Sequence, residues 1–315
     1  MNPHKRLIRV SRKPFLLSDL FFFFFLFSGC FITNYSLEGK TAFPARGFAK
    51  ILTKEEASNR LDRYRSFIVR DLNRTSFHKA YAFRFRLRHM PRRGEEFYRT
   101  GTIYGLALGH GLSRIDLDPT DSEESHKNFL MYNGPRPKVW LLSSGENESR
   151  LLKEKEFFQP IFNGMNQSTF DMLMPFVFWD ATYIKSGKVA GRPSHLYSFL
   201  PPPWVKDVRP DITEIIMALD ESYEAPLRIE TFSRSNVPSR TFILNGMKKV
   251  TDHWIVKSLD CKNRQDRSNT RFEVTSAALN LDLDLSLFSP GGLLKTPVIA
   301  SAAFIYTQQK LDNLD

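Results

Sequence analysis

YAFRFRLR, residues Tyr81 to Arg88, alternates without a break. Tyr81, Phe83, Phe85 and Leu87 fall on one side of an extended chain, and Ala82, Arg84, Arg86 and Arg88 on the other. A period of two with one apolar and one polar side predicts a half-buried strand. The arginines read as a solvated face with carboxylates opposite; the sharper alternative is a surface turned toward lipid headgroups.

Working outward, Pro91-Arg92-Arg93-Gly94 supplies turn chemistry, and Glu95–Leu108 returns as a second strand. Lys138–Ser143 reads as another. Further on, strands are predicted at Ala181–Ala190, Ser194–Leu200, Ile212–Leu219, Leu227–Ser233, Thr241–Val250, Trp254–Asp260 and Arg271–Ala277. Turn residues part them about every 8–12 residues, the spacing of a meandering sheet or barrel. Spacers this short leave no room for crossover helices, so the sheet should be antiparallel.

Two segments break the strand pattern. Thr53-Lys54-Glu55-Glu56 is a capping-box signature, and Ala57, Leu61, Tyr64 and Ile68 follow on one helical face, predicting a helix over Thr53–Val69. Midway, Pro160–Trp179 is rich in Met and Phe. There Ser168 and Asp171 mark a helix start, Phe170, Leu173 and Met174 share a face, and Pro175 stops the turn. Phe176, Val177, Phe178 and Trp179 then run without a polar break. The fold class is therefore mainly β with helices (α+β), one domain built on a long curved antiparallel sheet. Two helices are too few to fill a large half-barrel, so a ligand cavity is expected. Its candidate lining and lid are Phe83, Phe85, Tyr104, Trp140, Phe170, Leu173, Met174, Phe176, Phe178 and Trp179. The Leu200-Pro201-Pro202-Pro203-Trp204 loop, with Lys206 and Arg209 close behind, makes Trp204 a candidate membrane contact; a barrel cap is the plainer reading.

The N-terminus decides location. Lys5, Arg6, Arg9, Arg12 and Lys13 precede the run FFFFFLFSGC, Phe21–Cys30, in the layout of a secretory signal. The ending Ser28-Gly29-Cys30 resembles a bacterial lipobox, whose cysteine is lipidated. An ordinary cleaved signal and an uncleaved anchor are the alternatives, and all three place the remaining chain outside the cytoplasm. The expected organisation is a signal over 1–29, a tether over 30–50, the domain over 51–290 and a C-terminal tail over 291–315.

About 285 residues then remain, enough for one large domain. Of 45 Lys+Arg and 34 Asp+Glu, five and one lie before Cys30, leaving a moderate basic excess of seven. The basic residues are dispersed, which argues against a nucleic-acid partner and suits an anionic membrane surface. With Cys30 lipidated, Cys261 stands alone and no internal disulfide can form. The seven histidines have no metal-ligand spacing, and no phosphate loop or dinucleotide fingerprint occurs, so no metal or cofactor is expected. "GHGLSRID" (Gly109–Asp116) gathers His110, Ser113 and Asp116 but lacks a nucleophile elbow. The expectation is a protein that is not an enzyme.

"FRFRLRHMPRRGEE" with "GTIYG", then "NGPRPKVW", "MPFVFWD", "GRPSHLYSF", "YEAPLRIE", "KKVTDHWIVKSLD" and "TRFEVT", resembles the outer-membrane lipoprotein-sorting protein family, the relatives of the LolA and LolB carriers. The resemblance spans about Lys50 to Pro290 and lies in the order of the motifs. It implies a LolA/LolB-like unclosed antiparallel β-barrel, a half-barrel with a helical lid over a hydrophobic cavity that holds acyl chains. It also implies lipid or lipoprotein acyl chains as ligands, lipoprotein-sorting partners, and a periplasm-facing place in the cell envelope. It transfers no catalytic residues. Cys30 followed by Phe31 points to an anchored outer-membrane lipoprotein. A sensor or interaction module on the same fold, its cavity filled by side chains, is the rival.

Overall fold

The computed structural model describes residues 49–69, 79–106, 111–119, 126–251 and 253–306. The signal, Cys30 and most of the tether lie outside them. Among the described residues no helix is long and apolar enough to cross a membrane.

Helix α1 runs Lys54–Val69. The capping box forms as its residues dictate: the Glu56 N–H donates to Thr53 Oγ1 (3.2 Å) and the Thr53 N–H to Glu56 Oε2 (2.8 Å). Ala57, Leu61, Tyr64 and Ile68 are its buried residues, the stripe expected from their spacing.

The strands are β1 (Ala80–Met90), β2 (Phe97–Leu106), β3 (Leu112–Leu117), β4 (Lys127–Tyr132), β5 (Lys138–Ser143), β6 (Arg150–Leu151), β7 (Asp180–Val189), β8 (Arg192–Leu200), β9 (Glu214–Asp220), β10 (Pro226–Phe232), β11 (Pro238–Val250), β12 (His253–Asn263), β13 (Ser268–Leu281) and β14 (Ile305–Tyr306). Two short helices, α2 (Thr169–Leu173) and α3 (Pro203–Val208), complete the main elements with several 3-10 turns. Strands β3 and β4 have no counterpart among the predicted strands.

All strands join one sheet in the order β6-β5-β4-β3-β2-β1-β13-β12-β11-β10-β9-β8-β7, with β14 beside β13. The pairings are antiparallel, and the sheet does not close. This is the unclosed half-barrel expected. Its order has a geometric consequence: β6 and β7 are the two outer edges, yet they are joined directly by Leu152–Trp179. The side chains of that connection pack in the main core against the concave side. The Met- and Phe-rich segment is therefore a cover.

Both sides of the sheet are covered. On the concave side Phe85, Leu87, Ile115, Phe129 and Val139 join α1 and the crossing segment in the main core. On the convex side Leu130, Leu142 and Tyr104 pack under Leu287, Phe288, Leu293 and Phe304. Of the stretch after Pro290, expected as a tail, Leu293 and Phe304 are buried in this cluster, and β14 pairs with β13. Arg114, 1% exposed, fastens this C-terminal strap. It donates to both Asp116 carboxylate oxygens (2.7 and 2.9 Å), to Gly292 O (2.9 Å) and to Lys295 O (2.8 Å). A β-carbon on Gly292 would lie 1.9 Å from Ser286 O, so only glycine fits there.

The arginine face of β1 takes the plainer form. Arg86 pairs with Glu273 (2.8 Å), Arg88 with Glu96 (2.6 Å), and the Arg84 guanidinium lies 4.0 Å over the Phe304 ring.

Candidate functional site: the concave face and its mouth

Phe85, Phe170, Leu173, Met174, Phe176 and Trp179 come together in the main core, with Phe83 and Phe178 packed against it. Helix α2 forms as read: the Asp171 N–H donates to Ser168 Oγ (3.2 Å) and the Ser168 N–H to Asp171 Oδ2 (2.8 Å). Met174 then turns left-handed (φ 51°) as the cap, and Pro175 opens a 3-10 turn to Phe178. The rings interlock, with Phe158–Phe170 centroids 4.5 Å apart, Phe170–Trp179 5.9 Å and Phe176–Phe199 5.5 Å.

Tyr104 and Trp140 do not join them. Both sit in the convex-side cluster, where Trp140 meets Tyr132 edge-on at 5.3 Å. Adjacent residues of a strand face opposite ways, and it is Ile103 and Val139 that turn toward the concave side. Trp204, suggested as a membrane contact, is 7% exposed and belongs to the main core. Its proline run starts α3, with Pro203 in the first turn, where a missing N–H costs nothing.

The crossing segment is also held by polar ties. Arg65 donates to Val177 O (2.7 Å) and Trp179 O (2.8 Å), and Asn133 Nδ2 to Leu173 O (2.7 Å). Arg240 reaches Asn166 O and Asp171 Oδ2 (2.8 Å) and approaches the Cys261 sulfur at 3.5 Å. Cys261 is a free, fully buried cysteine, and burial pushes its thiol up to about 12. A buried thiol held in its neutral form packs as a small apolar side chain.

Ser113 and Asp116 stand on opposite faces of β3: the Ser113 hydroxyl meets Tyr81, while Asp116 is engaged by Arg114. Residues three apart on a strand cannot converge, and His110 lies outside the described residues. Among the described residues no cluster of His, Cys, Asp and Glu could hold a metal.

A second polar cluster clamps the start of the domain. Ser186 donates to Lys50 O and meets Tyr183 Oη (2.6 Å) and His195 Nδ1 (3.0 Å). His195 is fully buried and its Nε2 has no partner. Burial, aided by Arg60, pulls its pKa down to about 4. The unfolded chain therefore binds a proton near pH 6.5 that the folded one refuses until about 4, so stability is lost as pH falls across that window. Between pH 6.5 and 4 the wild type should lose about 3 kcal/mol more than His195→Asn. Urea unfolding midpoints at several pH values check this.

An opening lies beside Gly246. A pocket of about 230 Å³ has Leu227, Leu244 and Met247 with Gly246 along its walls, and Arg192, Tyr223 and Trp254 at its rim. The pairing of β11 with β12 slips on both sides of Gly246. Such irregularities bend a strand away from its neighbour. Sequence reasoning did not find this place, although a glycine inside the apolar pattern of "FILNGMKK" is the sign of a bulge or a close approach.

No protein-family profile and no curated protein matches the chain. Solved structures do. A DUF1329-family protein from Desulfovibrio piger superposes with a TM-score of 0.59 at 13% identity, over 76% of this chain and 98% of its own. A domain from Vibrio parahaemolyticus, described as an outer membrane lipoprotein-sorting protein, gives 0.59 at 16%, over 75% and 99%. A LolA-superfamily protein from Nitrosomonas europaea gives 0.52 at 11%, over 74% and 97%. At these identities the likeness is one of architecture: the chain has the LolA-like unclosed antiparallel half-barrel.

Proposed function

We propose that this is a bacterial envelope protein that binds and sorts lipid or lipoprotein, holding acyl chains inside the half-barrel without catalysis. The observation that carries the reading is an apolar concave face enclosed between a curved sheet and a segment that packs across it. Phe83, Phe85, Phe170, Leu173, Met174, Phe176, Phe178 and Trp179 form the inner wall. Each methylene buried there contributes about 0.8 kcal/mol. Cys30, carrying lipid, anchors the domain to the outer membrane, facing the periplasm, with lipoprotein-sorting partners nearby.

The crossing segment acts as a fixed wall in this scheme. Swinging it out would expose Phe170, Leu173, Met174, Phe176, Val177 and Trp179, all buried. At ~1.5–3 kcal/mol each that costs roughly 10 kcal/mol or more, as much as a typical domain's whole stability. A chain therefore enters where the interior is already open.

One observation favours the rival, an interaction or sensing module with no lipid ligand: the concave face is packed with the protein's own side chains. The two readings part on whether the protein carries non-covalent lipid when taken gently from membranes.

A further inference from the structure

The pocket beside Gly246 combines features that apolar packing alone does not require. Its walls are aliphatic and include Met247, an unbranched, adaptable side chain. Two aromatic residues stand at the rim nearly half exposed, Trp254 at 42% and Tyr223 at 48%. The one charged residue lining it is Arg192, whose guanidinium lies 5.1 Å from the Tyr223 ring centroid. No carboxylate lines the pocket. The nearby Asp220 is buried and already accepts from Arg192 Nε (2.6 Å) and from the Ser222 and Tyr223 N–H groups (2.9 Å each). Lys248 and Lys249 follow Met247 directly on β11, adding positive charge on the same strand.

Volume narrows the occupant. About 230 Å³ equals roughly eight waters of bulk liquid, room for part of one alkyl chain and no glycerol backbone. An apolar slot with a guanidinium at its rim, one edge of which Asp220 already holds, matches a single chain ending in an anion.

We propose that this pocket is a binding site for the alkyl chain of a fatty-acid carboxylate, with the head at Arg192 and the chain between Leu227, Leu244, Met247 and Trp254. The proposal rests on the acyl-chain reading above and locates its point of access, away from the crossing segment. Gly246 is part of the lining, and a β-carbon there would meet nothing nearer than the Lys257 side chain at 4.0 Å, so a larger residue fits at this point of the wall.

The test titrates the full chain with butanoate through dodecanoate, below their aggregation concentrations, and with alkyltrimethylammonium ions of matched length. Calorimetry gives the affinity, and iodide quenching reports shielding of Trp254. The expected result is about fourfold tighter binding per added methylene, levelling once the slot is full, with the ammonium series at least tenfold weaker. Trp254→Ala and Gly246→Val should each weaken dodecanoate at least tenfold. Arg192→Gln should erase the preference for carboxylate while keeping the chain-length dependence; because Asp220 loses a partner there, Arg192→Lys, which should retain the preference, serves as the folded control. Chain-length-dependent binding that both Trp254→Ala and Gly246→Val leave untouched overturns this pocket and leaves the acyl-chain reading standing. Ammonium ions binding as tightly overturn the anionic class. Failure of every amphiphile to bind overturns the pocket and the acyl-chain reading together.

Discussion

Leu173→Glu is expected to destabilise the entire domain by several kcal/mol, lowering the melting temperature by roughly 10 °C or more. Leu173 is 1% exposed among Phe, Met and Trp side chains, and its carbonyl is held by Asn133. A carboxylate there has no partner, and the polar ties at Val177, Trp179, Asp171 and Asn166 prevent the segment from carrying it into water. Circular dichroism melting of the purified variant gives the answer. A melting temperature within a few degrees of wild type would mean that the segment swings freely, and the fixed-wall account would fail.

Arg114→Met should be comparably severe, costing about 3–5 kcal/mol at neutral pH, the usual range for removing one partner of a buried ion pair. The loss leaves the Asp116 carboxylate and the carbonyls of Gly292 and Lys295 without their donor. Burial already pushes the Asp116 carboxyl above its ordinary range, against the lowering pull of Arg114. Without the arginine its pKa rises further, the buried acid takes up a proton on mild acidification, and the variant recovers part of its stability as pH falls. Denaturant melts at neutral and mildly acidic pH test both the size and the direction. A neutral-pH loss below 1 kcal/mol would show that the strap does not depend on this residue.

The sequence was legible where one face of an element is wet. The spacing in α1, the alternation in β1 and the turn-bounded strands from β7 onward each show a buried and a solvated side, and their boundaries fall within a few residues of those read from pattern. It failed where the C-terminal strap covers the second face. In β4 the run Asn128-Phe129-Leu130-Met131 is buried throughout, so no alternation marks it as a strand. Tyr104 and Trp140 are misplaced for the same reason: when both faces are apolar, composition cannot say which side is concave. Trp204 failed differently. Three prolines read as a stiff loop, yet the last of them suits the first turn of a helix that turns the tryptophan inward. The mouth pocket rests on a strand irregularity at Gly246, which depends on pairing between β11 and β12 and leaves only a glycine as its trace.

The central claim, that the half-barrel holds acyl chains, is tested most directly by native mass spectrometry of the full chain released gently from membranes. The account predicts a mass above that of the chain with any covalent lipid on Cys30. The excess should dissociate on collisional activation and be recovered in organic solvent as acyl-bearing molecules. A single species at the mass of the covalently complete chain, unchanged from the mildest activation onward, would contradict it and leave the fold as an interaction module.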